Sequence, residues 1–183
     1  MTENQSQPLS TQRVEQVDMD KPDTAHIAGF FDAAGTISGH IVKGDATIGY
    51  RFEPMVRITR PAEDSYIFGK IDEYCSEHGV QFSLNEVTRN GTESFGFVIK
   101  QPNSVTRFLE PLMPYLVTQF ENAQIMLSFI IPSMEQRKHL TKPGFYEIIK
   151  ALDEIRDETR QGTDPKYTAE FFREEWSEYL VDT

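Results

Sequence analysis

At 183 residues, with 38% hydrophobic residues and a formal net charge of -11, the chain is long enough to bury one sizeable core and carry extensions. The single Cys75 excludes an internal disulfide and any multi-cysteine zinc site. No apolar run approaches the ~18 residues of a membrane span, and the polar start MTENQSQPLSTQRVEQ lacks the basic and apolar regions of a secretory signal, so the expected location is the cytoplasm.

Acidity of this size argues against a nucleic-acid partner, because phosphate binding rests on Lys and Arg. The charge is uneven, however. Residues 1–23 carry five acids against two bases and residues 164–183 six against two, whereas residues 24–163 carry 18 against 14. Only eight of the 18 bases are Lys. This balance resembles that of proteins from salt-loving archaea or their viruses, which suggests a halophilic prokaryotic source; an ordinary acidic protein has the same balance. At molar salt the Debye length is about 3 Å, so global repulsion hardly reaches a DNA strand.

In chain order, residues 1–22 are polar, hold Pro8 and Pro22 and show no period, which reads as a disordered arm. Asp23 or Thr24 can cap a helix running to about Ala34, with Gly35 ending it. Strand-like runs follow at Thr36–Lys43 and Tyr50–Arg60. A helix then spans about Ala62 to His78, stopped by Gly79. Two further runs, Val80–Arg89 and Glu93–Lys100, flank Asn90-Gly91, a strong hairpin signal. Asn103 or Ser104 caps a helix to about Leu116, broken near Pro111 and Pro114. Thr118–Leu140 reads as a helix interrupted by Pro132, and Phe145–Arg160 as another. Thr168 opens a last amphipathic helix with Phe172, Trp176, Tyr179 and Leu180 on one face. The order predicts an α+β fold: an αββαββα core with a four-stranded antiparallel sheet, helices on one face, and additional C-terminal helices. The domain would span 23–163, followed by an acidic helical extension at 164–183.

Strand alternation assigns the faces. Ile37, Ile41, Phe52, Val56, Ile58, Phe82, Leu84, Phe95, Phe97 and Ile99 point to the core. Ser38, His40, Val42, Arg51, Glu53, Met55, Arg57, Thr59, Gln81, Ser83, Asn85, Ser94, Gly96, Val98 and Lys100 point away. The outer face is therefore mostly polar or basic, as in any soluble antiparallel sheet, and also as in a sheet that contacts nucleic acid.

One stretch is more specific. Ile27-Ala28-Gly29-Phe30-Phe31-Asp32-Ala33-Ala34-Gly35 interleaves small and bulky apolar residues, and Gly29 and Ala33, four apart, leave a flat strip that a second helix can approach closely. The string resembles, position by position, the LAGLIDADG motif of homing endonucleases. Gly35-Thr36-Ile37 resembles that family's entry to its first strand, and Phe52–Thr59 its second strand. Leu109–Leu116 with Glu121–Leu127 resembles the segment after its second hairpin. The resemblance covers about residues 24–160 with one motif copy, and implies a homodimer joined through Ala28, Gly29 and Ala33 whose two sheets sit as a saddle on pseudo-palindromic double-stranded DNA. Arg51 and Arg57 then become the foremost candidates for DNA contact, followed by Ser38, His40, Gln81, Asn85 and Lys100, with Lys43, Arg60 and Arg89 near strand ends suited to phosphates.

The same resemblance implies acids from two motif helices that hold a divalent metal, which activates water and neutralises phosphodiester charge. Here the motif acid is Ala34. Asp32 lies roughly 200° around the helix from it, and its role in the family resembles a structural cap. The Lys that the family places after the second hairpin corresponds to Gln119. The four histidines are dispersed, and no metal site is expected. The leading expectation is a DNA-binding homodimer, a regulator or a relic, with lost or impaired cleavage and no cofactor. Its rivals are an Mg²⁺-dependent homing endonuclease using Asp32 or Glu53, a maturase-like RNA-splicing cofactor, and a protein-interaction module centred on residues 168–180.

Overall fold

The computed structural model describes residues 24–64, 66–89, 92–159 and 166–180. The expectations for the arm 1–22, for Asp23 as a cap and for Asn90-Gly91 lie outside the described residues. Helix α1 (Thr24–Ala34) buries Ile27, Ala28 and Phe31 and passes directly into strand β1 (Gly35–Lys43) with no intervening loop. Gly35 ends the helix as expected, without the left-handed conformation common at such a position. Among the described residues, the glycines with positive φ are Gly49 and Gly79. Gly35 is required for space instead: a Cβ there would overlap the Phe31 ring.

Strand β2 (Tyr50–Pro61) pairs antiparallel with β1 from Gly35↔Ile58 to Lys43↔Tyr50. A 3-10 turn at Ala62–Asp64 precedes helix α2 (Tyr66–His78), so the helix begins later than the spacing predicts. Gly79, at φ 63, ends it as expected. Strands β3 (Ser83–Arg89) and β4 (Thr92–Ile99) complete one sheet of order β1-β2-β4-β3. The run predicted from Val80 joins the sheet only at Ser83. Its first amides are engaged elsewhere: Val80 donates to the Cys75 carbonyl (2.8 Å) and Gln81 to the Ser104 hydroxyl (3.0 Å). That bond also explains why Ser104 is not a helix cap. Helix α3 (Pro102–Leu109) starts one turn earlier, with Gln101 at the cap and Pro102 in the first turn, where a missing N–H costs nothing.

A 3-10 turn (Met113–Tyr115) leads to helix α4 (Phe120–Ile125), a π turn (Met126–Ile130) and helix α5 (Ile131–Glu135). Pro132 bends the hydrogen-bond ladder rather than breaking it. It has no N–H for the Ser128 carbonyl, and the ladder slips so that Ile131 donates to Met126, five residues back. Helices α6 (Lys142–Thr159) and α7 (Ala169–Glu175) follow.

Helices α1, α3 and α6 contact β1 and β2 on one face of the sheet. Phe108 is central to the core, its ring centroid 5.4 Å from Phe31, 5.7 Å from Tyr74 and 5.9 Å from Phe97. A second aromatic group surrounds Tyr50, with Phe172, Tyr167 and Trp176 at 4.9, 5.4 and 5.8 Å. The segment 166–180 therefore packs into the same core. Asp153 accepts from the Ala169 amide (2.6 Å), Arg156 donates to the Tyr167 carbonyl (2.8 Å), and the Thr168 hydroxyl caps α7 as expected. Tyr179 departs from the expected buried face. The helix ends before it, it is 62% exposed, and the Lys142 ammonium sits 3.4 Å above its ring. Phe108→Ala should cost about 3–5 kcal/mol of stability, measured by urea denaturation, because three rings lose their common neighbour.

Candidate nucleic-acid interface

The register turns strand alternation into rows across the uncovered face. Thr36, Arg57, Val98 and Ser83 form one row, and Thr59, Gly96 and Asn85 the next. Towards the far end of β1, Ser38 faces Met55, His40 faces Glu53 and Val42 faces Arg51. Arg51, Arg57, His40, Asn85 and Lys100 are exposed. Ser38 is half-buried, with its hydroxyl enclosed. Gln81 is exposed and lies just ahead of β3. Val98 points outward yet is only 7% exposed and stands apart from the core, shielded by its cross-strand neighbours Arg57 and Ser83. Leu84, on the core side, is 48% exposed because β3 is an edge strand.

Two predicted phosphate contacts belong elsewhere. Lys43 pairs with Tyr50, whose ring lies in the core, and its ammonium sits 5.9 Å from that ring's centroid. Arg60 pairs with Phe95 on the helix side, where its guanidinium lies 6.0 Å from the Phe30 ring centroid. Both side chains follow the strand alternation to the helix side. Arg89 pairs with Thr92 at the end of β3, and its side chain is outside the described residues.

Glu53 is the one acid on this face among the described residues, and no local sequence signal marks its partners. Its Oε1 lies 3.4 Å from Arg51 Nε and its Oε2 3.3 Å from Lys100 Nζ. Alternation places all three residues on one side. Only the register shows that Lys100 reaches Glu53.

The C-terminal end of α1 forms a second cluster. Asp32 Oδ1 accepts from the Val117 and Gln119 amides (3.2 and 2.7 Å), and Oδ2 from the Thr118 amide (2.9 Å). Burial pushes this carboxyl's pKa upward, but the backbone donors Thr118, Gln119 and Val117 together outweigh it and hold the group below the ordinary carboxylate value. Asp32 is thus the cap that the family resemblance implies. Gln119 is buried; its amide donates to the Gly35 carbonyl (3.3 Å) and accepts from the buried Asn122 (3.3 Å). Asn122, a polar residue on an otherwise apolar helix face, had not been singled out from the sequence.

A divalent cation such as Mg²⁺ requires carboxylate oxygens in octahedral geometry. Ala34 supplies none, the Asp32 oxygens already accept three amides, and the Gln119 amide is satisfied within the chain. The residues at this end of α1 do not fit such an ion. Glu53 stands on the opposite face of the sheet, bridged to two cations. Among the described residues, no three His, Cys, Asp or Glu side chains gather as metal ligands, and no helix is long and apolar enough to cross a membrane.

The small-residue strip needs one correction. Ala28 is fully buried in the core of its own chain, four residues before the Asp32 cap. The exposed stripe of α1 is instead His26, Gly29 and Ala33, with Phe30 half-buried. A Cβ built on Gly29 meets nothing within 4 Å. The 3-10 turn Met113–Tyr115 packs on α1, and in and beyond it Tyr115, Val117 and Phe120 are 50%, 83% and 39% exposed.

No family model and no curated protein matches the chain. Solved structures do. The homing endonuclease I-CvuI, in complex with its DNA target in the presence of calcium, is 25% identical, with a TM-score of 0.67 over 82% of this chain and 90% of the other. An archaeal intron-encoded homing endonuclease, I-Vdi141I, complexed with DNA, is 18% identical, with a TM-score of 0.70 over 87% and 97%. The LAGLIDADG homing endonuclease I-SmaMI bound to cleaved DNA is 16% identical, with a TM-score of 0.64; the match covers 87% of this chain and 49% of that one. The protein has the fold of the LAGLIDADG homing endonucleases.

Asp32→Asn keeps the shape but removes the charge that three amides share, and should cost about 2 kcal/mol. Because the folded-state pKa is depressed, the wild-type advantage should be complete above the unfolded value of about 3.9 and should vanish as pH falls through the folded value. Denaturation midpoints of both proteins from pH 7 down to 3 check this.

Proposed function

We propose that the protein binds double-stranded DNA specifically through the uncovered face of its sheet, as a homodimer joined along α1, and that its capacity for cleavage is lost or impaired. The observation that carries this reading is the charge of that face. In a chain of net charge -11, the exposed sheet surface presents Arg51, Arg57 and Lys100, together with the polar His40, against Glu53, its one acid among the described residues. Most of the described acids lie on helices, and Glu86 and Glu93 fall on the helix side of the sheet by alternation. The solved neighbours were captured with DNA, and a two-fold dimer matches a pseudo-palindromic site.

Two features support the dimer. The open space at Gly29 gives no reason within one chain for a residue lacking a side chain in mid-helix, where glycine costs up to about 1 kcal/mol. Val117, Phe120 and Tyr115 add apolar surface beside α1. Loss of cleavage rests on the end of α1, where Ala34 and the internally bonded Gln119 stand in place of an acid and a cation. A role as a regulator or as a relic of a mobile endonuclease fits this combination.

Selection from random duplexes by gel shift, over a range of salt concentrations, tests the reading. A defined two-fold sequence should be enriched; no preference at any salt would refute DNA recognition. Incubation of the selected duplex with Mg²⁺ or Mn²⁺ should leave it intact, and staggered cuts would refute the loss of cleavage. Arg57→Ala should weaken binding about tenfold and flatten the dependence of log affinity on log salt by about one. Gly29→Leu should leave folding intact, by circular dichroism, and convert the dimer to a monomer by light scattering.

A further inference from the structure

An acid on a face that seeks phosphates is unfavourable unless it makes contacts of its own. Glu53 occupies that position, and its side chain retains 26% exposure between Arg51 at 65% and Lys100 at 50%. Each carboxylate oxygen faces one cation, so the group is held from both sides with its plane fixed. A carboxylate offers about four acceptor positions, and two cation contacts leave the others open. An acceptor-only group of this kind matches the exocyclic amine that cytosine presents in the major groove, and it repels the acceptors of guanine and thymine. Arg51 meets Glu53 through Nε, which leaves the two terminal guanidinium nitrogens for a neighbouring guanine or phosphate.

We propose that Glu53 is a specificity-determining side chain that accepts a hydrogen bond from the N4 amine of a cytosine, oriented for that contact by Arg51 and Lys100. This rests on the proposed DNA binding and adds the identity of one base. In a two-fold dimer the preference appears at two symmetric positions of the site.

The test is selection from random duplexes by the full chain and by its Glu53→Gln and Glu53→Ala variants, followed by titration of single-base substitutions. The wild type should require cytosine at one symmetric pair of positions, with a penalty of about tenfold or more for other bases. Glu53→Ala should lose that preference while keeping the others. Glu53→Gln should move it towards adenine, the base that suits a side-chain amide. Both variants should bind unrelated duplex more tightly than the wild type, because Arg51 and Lys100 are released to phosphates. An unchanged cytosine preference overturns the inference. So does an equal weakening of every position, which would make Glu53 a positioning residue for its two cations. A wild type that enriches no sequence overturns DNA recognition itself and this inference with it, and is distinguished by the absence of any preferred position.

Discussion

A single carboxylate joins two segments that lie far apart in the sequence. Asp32 accepts three successive backbone amides from residues 117–119, more than 80 positions away in sequence. Its negative charge lies at the start of the helix that opens at Phe120, where the unpaired amides carry partial positive charge. By holding that segment against α1, the contact brings Gln119 to the Gly35 carbonyl and Asn122 to Gln119. It also sets the exposed Val117 and Phe120 beside the Gly29–Ala33 stripe. A carboxylate occupied in this way is an anchor for the backbone, with little left to offer another ligand.

The uncovered face of the sheet and helix α7 differ in charge. Helix α7 and the turn after it expose Glu170, Glu174, Glu175 and Glu178, while the sheet gathers arginines on its uncovered side. Long-range steering depends on the local field and weakens with ionic strength. Screening therefore removes the general repulsion from a phosphate backbone sooner than it removes contacts made at hydrogen-bond distance.

The sheet was legible in the sequence because its two faces see different solvents. Period-two alternation locates β1, β2 and β4 to within a residue or two and places Phe52, Val56 and Ile58 inward and Arg51, Glu53, Met55, Arg57 and Thr59 outward, as found. Lys43 and Arg60 follow the same alternation to the helix side, which their charge alone does not reveal. Ala28 was misread for a related reason: small size was taken as the sign of an interface, although its angle around the helix turns it inward with Ile27 and Phe31. What the sequence could not supply is register. Glu53 and Lys100 are 47 residues apart, and nothing local marks them as partners. Ser104 read as a cap for the same reason, since its acceptor role for Gln81 exists only after the strands have docked.

The direct passage from α1 into β1 fuses two periodicities, 3.6 residues per turn before Gly35 and two per repeat after it. No loop absorbs a change of length there. Inserting or deleting one residue would swing the exposed stripe of α1 by about 100° and invert the faces of β1. The joint thus acts as a reading frame in space. It ties the direction in which the exposed stripe of α1 points to the side of the sheet that carries Arg51 and Arg57, so the junction tolerates substitution far better than a change of length.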